Sequence, residues 1–366
     1  MILSADKFGF YTVGDRKTYS RIEAQQYAKL YQRQIHWNFN DEIFSKCDFT
    51  KEPTSTLSEL YTTRCHQIRN AYDYVVIFYS GGSDSDNILQ HWLKSGCKLD
   101  EVATMWSYEG TKDRQSYSDI EQTTVVIPKI TELQKQYDFK FRLVDRTHHI
   151  LDYIQRESES LIYNSNFNIS PHSSSKSQLR ERVKEWRDII DSGKKLCFVW
   201  GIDKMQLAQR GGLVGVTFRD THIDSVLTPY VQRKFTDGWY DELFYWTPDL
   251  PSLIIKQAHV INNVLNYRVG TVGDVLHLYT DKMTFFGYNK ILRKYLTEDA
   301  YRKLIYPYWN PSTFTIGKST DTMISRRDEW LWSSNHNTSD IFLNSVKNYK
   351  QIIFQQHVSS MFYSLT

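Results

Sequence analysis

Two periods govern where apolar residues fall along this chain. Residues 74–79 are Tyr-Val-Val-Ile-Phe-Tyr, β-branched or aromatic without alternation, the pattern of a strand buried on both faces of a sheet. Ser80-Gly81-Gly82-Ser83-Asp84-Ser85 follows, and then Ile88, Leu89, Trp92 and Leu93 recur at helical spacing until a Ser95-Gly96 stop. Strand, tight turn and helix are the expected order. The strand signal returns at 102–107, 139–145 and 196–200, and 212–220 alternates like an edge strand. Helical patterns lie between them, at about 117–136 with an interruption near Pro128, at 147–155 and at 177–191. This alternation predicts an α/β fold built on a doubly wound, mostly parallel sheet.

The flanks read differently. Residues 1–70 form an expected N-terminal cap with a short strand at 8–14, a helix at about 20–33, and a second helix whose Leu57, Leu60, Tyr61, Cys65 and Ile68 share one face. That face would pack on the sheet and turn Arg64 and Arg69 elsewhere. Residues 71–226 are expected to form the α/β unit, and 227–366 a mainly helical, aromatic-rich region. There a helix opens near 247 with Thr247 or Asp249 as cap, and Lys256 and His259 stand three apart, facing either a pocket or solvent.

Composition narrows the class. With 366 residues, 40% hydrophobic and 24% charged, the chain has ample apolar area for a core, and no run of about 18 apolar residues suggests a membrane span. A net charge of +3 neither requires nor excludes nucleic acid. Cys47, Cys65, Cys97 and Cys197 are dispersed and read as free thiols of a reducing compartment, and the N-terminal residues carry no secretory pattern; a cytoplasmic location is expected. His148-His149, without a second ligand pair, reads as surface or packing.

Glycines let a backbone approach an anion closely, and a helix start offers unpaired N–H groups to it, so the turn at 80–85 is suited to a phosphate. Its hydroxyls at Ser80, Ser83 and Ser85 can add hydrogen bonds, whereas Asp84 suits a bridging cation such as magnesium. The six residues resemble the SGGxDS loop of the PP-loop ATP pyrophosphatases, the superfamily of asparagine synthetase, GMP synthetase and several tRNA-modifying ligases. The resemblance covers the turn and its flanks. It implies an adenine nucleotide alpha hydrolase-like (HUP) core, ATP and Mg2+ as cofactors, and cleavage between the α and β phosphates to adenylate a carboxylate or carbonyl oxygen, which a nitrogen nucleophile then attacks. Ammonia or an amine-bearing partner would be the acceptor, and a small acid or base-like molecule the substrate. A fused glutaminase would need cysteine after Met1, where Ile2 stands.

The resemblance also suggests further positions. Ser107 and Glu109, at a strand end, would hold adenosine, and Gly201 with Asp203 would line the nucleotide site, Asp203 sharing magnesium with Asp84. In that reading 71–226 is the nucleotide-binding domain and 227–366 the substrate region, Lys204 would meet phosphate oxygens, and Asp84 would reach them through the cation. Apart from the resemblance, Lys318, on a segment loosened by Gly317, is the remote candidate for a charge that folds back onto the pyrophosphate. Two other readings stand beside the synthetase: an ATP or AMP sensor without turnover, and a ligase that modifies tRNA or a nucleobase.

Overall fold

The computed structural model describes residues 5–106, 120–156, 183–202, 207–220, 238–270, 284–285, 292–310, 331, 336–347 and 358–366. Its N-terminal part holds β1 (Phe10–Val13), β2 (Arg16–Thr18), α1 (Arg21–Tyr31), β3 (His36–Asn38) and a single turn α2 (Asp41–Phe44). The three strands form an antiparallel sheet in the order β2-β1-β3. Next comes α3 (Leu57–Ala71), started by a capping box between Thr56 and Glu59.

The centre of the molecule is a five-stranded, all-parallel, Rossmann-like sheet flanked by helices. Its strands are β4 (Tyr74–Phe78), β5 (Glu101–Trp106), β6 (Lys140–Asp145), β7 (Leu196–Trp200) and β10 (Trp239–Leu243), in the order β10-β7-β4-β5-β6. Between them run α4 (Ser83–Lys94), α5 (Ile127–Leu133), α6 (Thr147–Arg156) and α7 (Lys184–Asp191). Starting from β4, the chain adds β5 and β6 on one side, then returns to lay β7 and β10 on the other. The direction of winding therefore reverses between β4 and β7, and in such sheets ligands lie outside the carboxyl ends of the strands at that point. Phe78 and Trp200 end these two strands with their rings stacked at 4.1 Å.

β8 (Leu207–Arg210) and β9 (Leu213–Val216) form a hairpin, and β11 (Thr284–Phe285) and β12 (Tyr363–Ser364) complete a separate sheet in the order β11-β8-β9-β12. The segment expected as an edge strand of the main sheet thus belongs to a second one. α8 (Pro251–Val269) packs across that hairpin, and α9 (Glu298–Ile305) and α10 (His336–Lys347) follow. Among the described residues, no helix is long and apolar enough to cross a membrane.

Four expectations need correction. The aromatic-rich region after 227 supplies β10, whose Asp241 and Glu242 hid it from an apolar pattern. Trp200 Nε1–H donates to Asp241 at 2.6 Å, and Glu242 takes Lys7 at 2.9 Å and Arg64 at 2.7 Å. Arg64 is accordingly buried against β10 rather than turned away from the sheet, and Arg69 pairs with Asp100 at 2.5 Å. Helix continues through Pro128, because the wider π turn at Gln122–Val126 just ahead gives the ring room. The N-cap of α8 is Leu250, with Pro251 opening the helix; Thr247 Oγ1 instead accepts from the Asp249 N–H at 3.2 Å. On α8, Lys256 pairs with Glu52 at 2.7 Å and His259 meets the Phe49 carbonyl at 2.9 Å, so neither serves the sheet edge.

Candidate functional site

The turn at 80–85 lies at the carboxyl end of β4, the middle strand, beside the winding reversal. Gly81 has φ +77°, a left-handed value that favours glycine, and a Cβ there would come within 3.2 Å of Val125 Cγ1 and Val126 Cγ2. Gly82 is the N-cap of α4 and is extended, with no side chain to cap the helix. The first-turn N–H groups of Ser83, Asp84 and Ser85 have no intrahelical acceptor by construction, and the positive end of the helix dipole adds to them.

The hydroxyls act mainly on the turn itself. Ser85 Oγ accepts from the Ser80 N–H at 3.2 Å, lies 3.2 Å from Ser80 Oγ, and donates to the Gly82 carbonyl at 3.1 Å. Ser80 Oγ accepts from the Gly82 N–H at 3.4 Å. Ser83 and Ser85 are buried and Ser80 is exposed. Ser85 is therefore the residue that fixes the shape of the cradle, and Ser80 stands at its mouth.

Gly201, just past β7, is brought against the same turn. A Cβ at that position would sit 3.1 Å from Ser85 N and 3.3 Å from Asp84 Cβ, so glycine is what lets the second strand end approach the start of α4. Ser107, Glu109, Asp203, Lys204 and Lys318 lie outside the described residues.

Two carboxylates on the first turns of α4 have different company. Tyr306 OH donates to Asp84 Oδ1 at 2.5 Å, and Tyr245 OH donates to the Asp84 carbonyl at 2.7 Å while accepting from Asn87 Nδ2 at 3.0 Å. Burial pushes both phenols well above their ordinary range, with the Asp84 charge adding to the effect, so they remain protonated donors. Asp86, buried, accepts from Tyr79 OH at 3.0 Å and pairs with Lys129 of α5. The π turn that carries Val125 and Val126 is tied to the end of β5 by Gln122 Nε2, which donates to the Met105 carbonyl at 2.9 Å. Such turns recur at functional sites.

Tyr245, Tyr306 and Lys129 are the residues that reasoning from the sequence missed. The aromatic-rich composition after 227 was the signal for the two tyrosines, and it pointed to no partner.

Among the described residues no group of three or more His, Cys, Asp or Glu could by itself hold a metal ion. Mg2+ on a nucleotide keeps water and phosphate ligands and takes one or two carboxylates from the protein, and the partly exposed Asp84 beside the turn fits that demand. No protein-family model matches this chain, and no curated protein matches it.

Proposed function

We propose that this chain is a PP-loop ATP pyrophosphatase of the AMP-forming ligase type, with a HUP-like core. The observation that carries the reading is the SGGSDS turn at the carboxyl end of the middle parallel strand, next to the winding reversal and opposite the glycine end of β7.

In this reading the first-turn N–H groups of α4 and the helix dipole hold the β and γ phosphates of ATP. The bond between the α-phosphorus and the bridging oxygen breaks as a substrate carboxylate or carbonyl oxygen attacks that phosphorus, and pyrophosphate leaves with the electron pair. A nitrogen nucleophile then attacks the activated carbon, and AMP leaves. Charge grows on the pyrophosphate in the first step, so fixed donors aimed at it lower the barrier. Asp84 would hold a magnesium ion carried by the phosphates, and that ion would spread the same charge. Lys129, one helical turn beyond Val125, pairs with Asp86 of α4 and is a nearby cation that could meet a phosphate.

The test is to incubate the purified chain with ATP, Mg2+, ammonium and a panel of carboxylic acids, and to separate the nucleotides. Acid-dependent AMP and pyrophosphate are expected, together with loss of ATP binding in Gly81→Val. ADP and phosphate as products, or no ATP binding, would overturn the reading. ATP bound with no AMP formed by any acid would leave the sensor in its place.

A further inference from the structure

Asp84 occupies the second position of α4, where a carboxylate has several rotamers open to it, and only some of them face the phosphate cradle. What selects among them comes from far along the chain. Tyr306 follows the last residue of α9, and its backbone is held on both sides: its N–H donates to the Arg302 carbonyl at 2.8 Å, and its own carbonyl accepts from the Trp309 N–H at 3.0 Å. The preceding carbonyl, of Ile305, accepts from Tyr61 OH of α3 at 2.5 Å, and Tyr61 OH in turn accepts from Gln257 Nε2 of α8 at 2.8 Å. The Tyr306 ring is 1% exposed and lies 5.6 Å from the ring of Tyr245. Three helices therefore converge to deliver one hydroxyl to one carboxylate oxygen. A buried phenol must find an acceptor, and the one it takes here is a carboxylate oxygen on the first turn of α4; a phenol donating to an ionised carboxylate makes a charge-assisted bond, among the stronger ones available.

We infer that Tyr306 is a positioning residue for the nucleotide-bound divalent cation: its hydrogen bond to Oδ1 locks the Asp84 carboxylate in the orientation that meets the metal. This rests on the phosphate-turn reading above and adds to it a residue 222 positions away. It also places the segment after α9 inside the site, although none of its residues belongs to the turn.

The experiment measures ATP affinity as a function of Mg2+ concentration, and separately in the presence of EDTA, for the wild type, Y306F, D84N and the double variant. Y306F is expected to raise the magnesium concentration for half-maximal ATP binding about tenfold, the size of one charge-assisted hydrogen bond. ATP binding in EDTA should stay unchanged, and Y306F should add less than about twofold on top of D84N, because the two residues act as one unit. Y245F makes the same chemical change on the neighbouring buried phenol but touches only the main chain of Asp84, and should leave the magnesium requirement within about twofold. An unchanged requirement in Y306F, an equal rise in Y245F, or an additive double variant would each overturn the inference. Should Y306F fail to fold, D84E tests the same contact by moving the carboxylate one methylene off the phenol; magnesium-dependent binding equal to wild type would then overturn it. Absence of ATP binding by the wild type would instead remove the phosphate-turn reading itself.

Discussion

Glu242 and Asp84 each accept a hydrogen bond at 2.5 Å from a buried tyrosine, Tyr72 and Tyr306 respectively, yet they belong to opposite kinds of place. Glu242 is 2% exposed and completes its set with Lys7 from the N-terminal segment and Arg64 from α3. Burial pushes its carboxyl up, but the two cations outweigh this and hold it below its ordinary value. Asp84 is only partly buried, on the first turn of a helix at the edge where the winding reverses. Around Glu242 the chain spends its cations on its own anion, and the result is a joint between three segments. Around the turn it gathers hydroxyls, glycines and helix-start N–H groups, donors suited to an anion from outside. Charge closed upon itself marks architecture here, and donors arrayed on an open edge mark the candidate site.

The largest expected effect breaks the closed side. Arg64→Met leaves Glu242 with one cation in a buried setting, and truncating one partner of a buried ion pair costs about 3–5 kcal/mol. Guanidinium unfolding of the variant should show that loss. A change below about 1 kcal/mol would mean that Lys7 and Tyr72 suffice, and that the joint is looser than its geometry implies.

Acid separates the two regions next. His91, two turns along α4 from Asp84, is sandwiched between the rings of Tyr61 at 4.8 Å and Tyr308 at 4.7 Å, and burial, with some help from Lys94, lowers it to about 4. The folded state then binds its proton more weakly than the unfolded state, so this contribution to stability is present above pH 6.5 and is lost as pH falls from 6.5 to 4. Asp220 is a second anion closed upon the chain's own groups, bonded to Arg21 and Tyr11 at 2.9 Å each. Burial raises it to about 6 against the pull of Arg21, so its contribution is present below 3.8 and is lost as pH rises through 6. His91→Phe should flatten the acid limb of a stability profile by up to about 3 kcal/mol, and Asp220→Asn should steepen it. The same slope in both variants would show that neither group controls that window.

What the sequence disclosed follows the range of the interactions. Strand, turn and α4 were legible because every determinant lies within 74–96: an unbroken apolar run, paired glycines and a helical stripe. Gly201 was also legible, as a glycine at a strand end. β10 was not, since a strand carrying Asp241 and Glu242 can be buried only if Trp200, Lys7 and Arg64 reach it, and those residues lie 41 to 235 positions away. Arg64 itself looked like the polar flank of a helix because its acceptor is 178 residues distant. Tyr245 and Tyr306 meet Asp84 across 161 and 222 positions, and no periodicity encodes a contact of that span. The local pattern located the candidate turn; the distant contacts decide how its residues are held.

The smallest effect concerns the pair that fits neither description fully. Lys129 closes on Asp86 as Arg64 closes on Glu242, and Asp86 is buried. Yet Lys129 keeps 23% of its side chain exposed and lies a turn from Val125, which covers Gly81. If it belongs with the open edge, the ammonium exchanges its carboxylate for a phosphate when nucleotide enters, and Lys129→Ala should weaken ATP about fivefold, the worth of one partly exposed charge contact. AMP, which lacks the β and γ phosphates, should bind Lys129→Ala and wild type equally. A variant that keeps its ATP affinity but unfolds at lower guanidinium concentration would assign the pair to the closed side with Glu242, as a clamp between α4 and α5 that no ligand disturbs.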